Sequence, residues 1–190
     1  MIHENTIVIA ISGVSGGGKT TITKELSSSL NNAKVLFFDD YDFDNSPNDI
    51  CEWVDSGANY DEWNLSKLVY DIELLLSDDK QRLNYILLDY PFAYKNKEVA
   101  QFIDYAIFID TPLDIAMGRR ILRDFANEPK ENLFIDIKNY ISIGRVAYLE
   151  MLNTVKPNSD LIVDGSLPSI KIVNEILEKL QGITKSKMFR

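Results

Sequence analysis

A glycine-rich turn between a strand and a helix constrains this chain more than any other feature. Thr6-Ile-Val-Ile-Ala-Ile11 is a β-branched run that reads as a buried strand, bounded by Ser12-Gly13. Gly13-Val-Ser-Gly-Gly-Gly18-Lys19-Thr20 follows at once, and helical composition then runs from Lys19 to Leu30, where Asn31-Asn32 supplies a stop. The octet satisfies G-x-x-x-x-G-K-[ST], the Walker A pattern, in the strand–turn–helix setting that the pattern requires. Glycines let successive backbone N–H groups turn inward around phosphate oxygens, and the helix N-terminus adds the positive end of its dipole. Gly13, Ser15, Gly16, Gly17, Gly18, Lys19, Thr20 and Thr21 are therefore the expected nucleotide-binding set. Lys19 is placed to reach the β/γ-phosphates, and the Thr20 hydroxyl to ligate Mg²⁺.

The remaining elements repeat one theme. Lys34-Val-Leu-Phe-Phe38 reads as a second strand, Tyr85-Ile-Leu-Leu-Asp89 as a third, Tyr105-Ala-Ile-Phe-Ile-Asp110 as a fourth and Asp160-Leu-Ile-Val163 as a fifth. Between them, Leu65, Leu68, Val69, Ile72, Leu75 and Leu76 recur at helical spacing. Thr111-Pro-Leu-Asp114 reads as a helix start, with Thr111 as cap and Pro112 at the first helical position, running to about Phe125. A polar break at 127–131 precedes a helix over 133–154, and a last helix covers 169–180. Helices alternating with continuous apolar strands predict a doubly wound α/β fold with a mostly parallel sheet, as a single domain over 1–190. The basic tail Lys185-Ser-Lys187-Met-Phe-Arg190 is expected to be mobile.

Composition narrows the function. The 190 residues carry a net charge of −9, which disfavours an electrostatic binder of nucleic acid or membrane surface. One cysteine, Cys51, excludes an intramolecular disulfide, and the lone histidine, His3, speaks against a Ser-His-Asp triad and a zinc cluster. No apolar run approaches the ~18 residues of a membrane span, and the first residues lack a signal-peptide pattern, so a cytoplasmic enzyme or binding domain is expected. The acidity is local. Asp39, Asp40, Asp42, Asp44, Asp49, Glu52, Asp55, Asp61 and Glu62 occur with no Lys or Arg among them, and the rest of the chain balances. Pro47 and Gly57 break this stretch, which reads as a loop.

A phosphate loop serves motors, transporters, GTPases and small kinases alike. The chain has neither the Asn-Lys-x-Asp of guanine readers nor the Leu-Ser-Gly-Gly-Gln of transporter ATPases. Ile11-Ser-Gly-Val-Ser-Gly-Gly-Gly-Lys-Thr-Thr21, Phe38-Asp-Asp-Tyr41, Asn59-Tyr-Asp61, Asp110-Thr-Pro-Leu-Asp with Arg119-Arg120 and Arg123, and Leu161-Ile-Val-Asp-Gly165 occur in that order. Together they resemble the uridine kinase and nicotinamide riboside kinase group of P-loop kinases, over about residues 6–165.

The resemblance implies a strand order 2-3-1-4-5, ATP and Mg²⁺ as cofactors, and transfer of the γ-phosphate to a hydroxyl of a nucleoside-like acceptor. It implies that Asp39 takes the proton from that hydroxyl, and that Tyr60 and Asp61 hold the acceptor, Asp61 on its ribose. It implies that Asp89 acts on Mg²⁺ through a water, where relatives usually carry Glu-Gly and this chain has Asp89-Tyr-Pro-Phe92. Arg119 and Arg123, one helical turn apart, would belong to a lid around 117–131 that neutralises the transferring phosphoryl group, with Arg120 paired to Asp124. Segment 39–62 would face the acceptor, with Trp53, Trp63 and Tyr41 as further aromatic walls, and its carboxylates would turn away a monophosphate. A kinase of a non-nucleoside alcohol such as pantothenate, a non-catalytic nucleotide-binding regulator, and self-association all stay open.

Overall fold

The computed structural model describes residues 6–44, 46–78 and 82–187. Five parallel strands, β1 (Ile7–Gly13), β2 (Ala33–Phe37), β3 (Tyr85–Asp89), β4 (Tyr105–Asp110) and β5 (Leu161–Asp164), form one sheet in the order β2-β3-β1-β4-β5. The expected topology is therefore the observed one. Every residue of β1 is buried, as its position at the sheet centre demands.

Alternate residues of the strands feed two cores. Ile7, Ile9, Ile11, Leu87, Ile107 and Ile109 pack with α1 (Lys19–Ser29) and with Ile172, Val173 and Ile176 of α8 (Ser169–Lys187). Val8, Ala10, Ile86, Leu88, Ala106 and Phe108 face the other way, onto α2 (Ile50–Asp55) and α3 (Ser66–Ser77). A short helix, α4 (Lys97–Ala100), follows β3, and α5 (Leu113–Asp124) follows β4. The polar break leads into one long helical run: α6 (Lys130–Asn139), a π-wound stretch Tyr140–Gly144, α7 (Arg145–Glu150) and a second π-wound stretch Met151–Val155. Among the described residues no helix is long and apolar enough to cross a membrane.

Three local expectations are corrected. The acidic segment is not all loop: Asp49 accepts hydrogen bonds from the backbone N–H of Cys51 (2.8 Å) and Glu52 (3.1 Å) and so starts α2. Thr111 does not cap α5. Its buried hydroxyl donates instead to the Gly17 carbonyl (2.7 Å), and Pro112 stands at the cap. The backbone of α8 extends helically through Lys187, into the tail expected to be mobile, whose last three residues lie outside the described residues.

Candidate active site

The register of the sheet brings the ends of its strands to one edge. Ile11 pairs with Asp89, Asp89 with Phe37, Gly13 with Ile109, and Asp110 with Asp164. Loops leaving that edge surround the carboxyl ends of parallel strands, the place where open α/β sheets bind ligands.

The phosphate loop is held there from several sides. The Gly17 N–H closes a turn on the Val14 carbonyl (2.9 Å), and the Thr111 hydroxyl fixes the Gly17 carbonyl from β4's end. Gly16 (φ 74°) and Gly18 (φ 101°) take left-handed backbone. A Cβ at Gly16 would fall 2.1 Å from the Ala116 carbonyl oxygen, so α5 can approach only a glycine. Thr20 donates its hydroxyl to Asp89 (2.6 Å), which is buried at the end of β3. Burial pushes the Asp89 carboxyl above its ordinary range, against the Thr20 hydrogen bond and the Lys19 charge. Burial likewise pulls the Lys19 ammonium down, against the Asp89 and Asp39 carboxylates, while its Nζ reaches the Val14 carbonyl (3.4 Å).

A cavity of about 530 Å³ opens on this loop, lined by Ser15, Gly16, Gly18, Lys19, Thr20, Thr21, Asp39, Arg119 and Arg123. Asp39 enters it from the single turn Phe38–Asp40 that follows β2. Arg119 and Arg123, one turn apart on α5, reach it from the opposite side. Arg119 also donates to the Gly165 carbonyl (3.0 Å), and Arg123 grips Asp124 (2.6 and 3.0 Å). The pairing of Arg120 differs from expectation: its guanidinium forks onto Asp136 of α6, because Arg123 already holds Asp124. The residues fit Mg²⁺ and a polyphosphate. A hydroxyl and a carboxylate 2.6 Å apart form a hard oxygen pair, and the loop is a backbone cradle with cations on its rim.

A second cavity of about 230 Å³ adjoins the first and shares Ser15 and Lys19 with it. Its wall is aromatic and aliphatic: Phe38, Trp53, Tyr60, Trp63, Phe92 and Tyr148 are among the lining side chains. Phe92 sits in their midst, with ring centroids 5.0 Å from Trp63, 5.2 Å from Tyr60 and 5.4 Å from Phe38. Tyr148 of α7 and Ser15 of the phosphate loop both line this cavity.

Expected acceptor residues divide here. Tyr60 lines the aromatic cavity, but its hydroxyl is bound to Glu150 (2.9 Å) and Thr154 (2.9 Å). The Asp61 carboxylate sits outside the lining set, on the Lys97 backbone N–H (2.9 Å) and ammonium (2.7 Å). Trp53 and Trp63 line the cavity, whereas Tyr41 donates to Asp71 (2.7 Å) and does not. The acidic segment contributes Ile50, Trp53, Val54 and Tyr60 to that wall and none of its carboxylates. Asp44 and Asp61 are paired with Lys67 and Lys97. The carboxylate that does line the cavity, Glu150, was not anticipated, because a lone Glu on an amphipathic helix looks like a solvated one.

No protein-family model matches the chain. A curated uridine kinase from Brevibacillus brevis is 24% identical over 96% of this chain and 99% of its own length. Among solved structures, a possible uridine kinase from Bacillus stearothermophilus superposes with a TM-score of 0.53 at 18% identity, covering 84% of this chain and 89% of that one. A sugar kinase from Janibacter sp. gives a TM-score of 0.57 at 16% identity, covering 93% and 95%. Phosphate loop, strand order and near-complete sequence coverage agree: the chain has the P-loop kinase fold and resembles the uridine kinases over almost its whole length.

Proposed function

We propose that the chain is an ATP-dependent small-molecule kinase that phosphorylates a hydroxyl of a nucleoside-like, ring-bearing alcohol. The observation that carries this reading is the junction of the two cavities at Ser15 and Lys19: a polyphosphate site opens directly onto an aromatic box. Relatives named uridine kinase support the same class of acceptor.

In this reading Gly13 to Thr21 hold the phosphates, and Lys19 balances charge on the β- and γ-groups. Thr20 and Asp89 hold Mg²⁺. Bound Mg²⁺–ATP supplies the phosphoryl group and a divalent charge that spreads over its oxygens. Asp39 orients the acceptor hydroxyl and takes its proton as the new O–P bond forms and the bond to the β-phosphate oxygen breaks. Arg119 and Arg123 offset charge on the group in flight, and residues 117–131 form the lid that carries them. The ring of the acceptor lies against Tyr60, Trp63 and Phe92. The whole chain acts as one domain with a small lid, in the cytoplasm.

The test is an ADP-release screen of nucleosides and other ring-bearing alcohols, and of their monophosphates, run on the wild type and Asp39→Asn. Expected are Mg²⁺-dependent transfer to an unphosphorylated acceptor and a fall of ~10²–10⁴-fold in kcat for the variant, with ATP affinity unchanged. A variant as fast as the wild type removes Asp39 as the base. Absence of transfer to every alcohol removes the kinase assignment.

A further inference from the structure

Glu150 stands out among the side chains around the aromatic cavity. It ends α7, and one oxygen of its carboxylate, Oε1, accepts from the Tyr60 hydroxyl (2.9 Å), while the Thr154 hydroxyl lies 2.7 Å from both that oxygen and the Glu150 carbonyl and shares its one proton between them. Neutral hydroxyls fix the group in place and bring no positive charge to it. Lys19 is the lone cation among the lining residues, and its ammonium is engaged at the phosphate loop with the Val14 carbonyl and the Asp89 and Asp39 charges. Lys95 lies over the Tyr60 ring, 5.3 Å from its centroid, and is not part of the cavity wall. No Lys or Arg occurs between Lys34 and Lys67, the stretch that supplies Phe38, Trp53, Tyr60 and Trp63.

Glu150 is half-buried, and a carboxylate on the wall of an apolar cavity is a partner for a cation that enters it. The surroundings specify what kind. The faces of Phe38, Trp53, Trp63 and Phe92 attract positive charge through their quadrupoles, most strongly the indoles. Aromatic rings with one anchored carboxylate therefore favour an organic cation that can donate an N–H to Glu150 while its carbon skeleton packs on the rings. The volume of about 230 Å³ is below the ~300–1,000 Å³ usual for ligand pockets, so the molecule is compact.

We infer that Glu150 is a specificity-determining residue and that the preferred acceptor is a compact ring-bearing alcohol carrying a protonated amine. The word acceptor rests on the kinase reading; the recognition of the ammonium group does not.

The chain itself offers a reporter that separates the two. Its two tryptophans, Trp53 and Trp63, both line the cavity, so intrinsic fluorescence follows occupancy without catalysis. The probes are 4-piperidineethanol, a cation at pH 7, and 2-cyclohexylethanol, its neutral counterpart of the same shape. The full chain should bind the cation at least about tenfold more tightly, since a hydrogen bond to a charged partner is worth about 1.4 kcal/mol or more. Glu150→Gln, which keeps an oxygen for Tyr60 and Thr154, should abolish that difference at an unchanged melting temperature. Equal or tighter binding of the neutral probe by the wild type overturns the inference, as does binding of neither. A cation preference that persists in Glu150→Gln also overturns it. Should the variant fail to fold, the wild-type pair of titrations decides. A Glu150-dependent preference with no transfer to any alcohol in the ADP-release screen upholds the recognition and defeats the kinase reading instead.

Discussion

The phosphate-loop cavity draws six of its nine lining residues from the unbroken stretch 15–21, whereas the aromatic cavity gathers its wall from segments between Gly13 and Met151. Backbone N–H groups and left-handed glycines shape the first, and side chains brought together by tertiary packing shape the second. A site made of backbone is defined by a few residues that must be small or charged, and is the same for any ligand with phosphates. A site made of packed rings changes shape with each substitution, so acceptor choice is written there.

The largest expected effect lies on the backbone-built side. Lys19→Ala should lower kcat/KM about a thousandfold, because it strips a preorganised charge from the reacting phosphates. Circular dichroism should show an intact fold, since the loop is also held by Thr111 and by its own turn. Unchanged turnover in a folded variant would break the contrast by showing that the loop's cation is dispensable. Phe92→Ala comes next and strikes the other cavity. Truncating the ring that touches Phe38, Tyr60 and Trp63 should cost about 3 kcal/mol in denaturant unfolding, the low end for Phe in a core, because space already adjoins it. ATP affinity should survive while acceptor KM rises, and loss of ATP affinity would show that the cavities do not act separately.

The smallest effect carries the opposite sign. The Asp89 carboxyl is pushed up by burial, so its favourable contribution is complete at acid pH and is lost as pH rises through its raised value. Above that value the ionised group weakens the metal-free protein, and Asp89→Asn should there raise the melting temperature by roughly 2–4 °C, about 1 kcal/mol for a domain of this size. The gain should shrink toward pH 4, and Mg²⁺ should no longer stabilise the variant. A melting temperature lowered at every pH would mean that the Thr20 hydrogen bond outweighs the burial of charge.

The same contrast explains what was legible in the chain. Strands Tyr85–Asp89 and Tyr105–Asp110 were readable to the residue because a strand covered on both faces is a continuous apolar run. The phosphate loop was readable because its geometry needs glycines at fixed intervals. Thr111 misled because a hydroxyl before Pro112 is a good local cap, and only the folded sheet brings the Gly17 carbonyl within its reach. Arg120 misled likewise: Asp124 is near in sequence, Asp136 near in space. Helix α2 was hidden in a stretch with too many carboxylates and too few residues for a periodic signal. Glu150 could not be seen at all, since its distinction is the wall around it and not its neighbours in the chain.

The two π-wound stretches give the long helix an unusual relation to chain length. A π turn lodges an additional residue while the α-helical segments on either side keep their phase. One residue removed from Tyr140–Gly144 can therefore be absorbed by rewinding to α, with Tyr148 and Glu150 still facing the cavity. One residue removed from Arg145–Glu150 swings the wall by about 100°, the advance of an α-helix per residue. The helix can thus lose a residue at Tyr140–Gly144 without redrawing the chamber, whereas Arg145–Glu150, and Met151 and Thr154 beyond it, must stay in place to keep it.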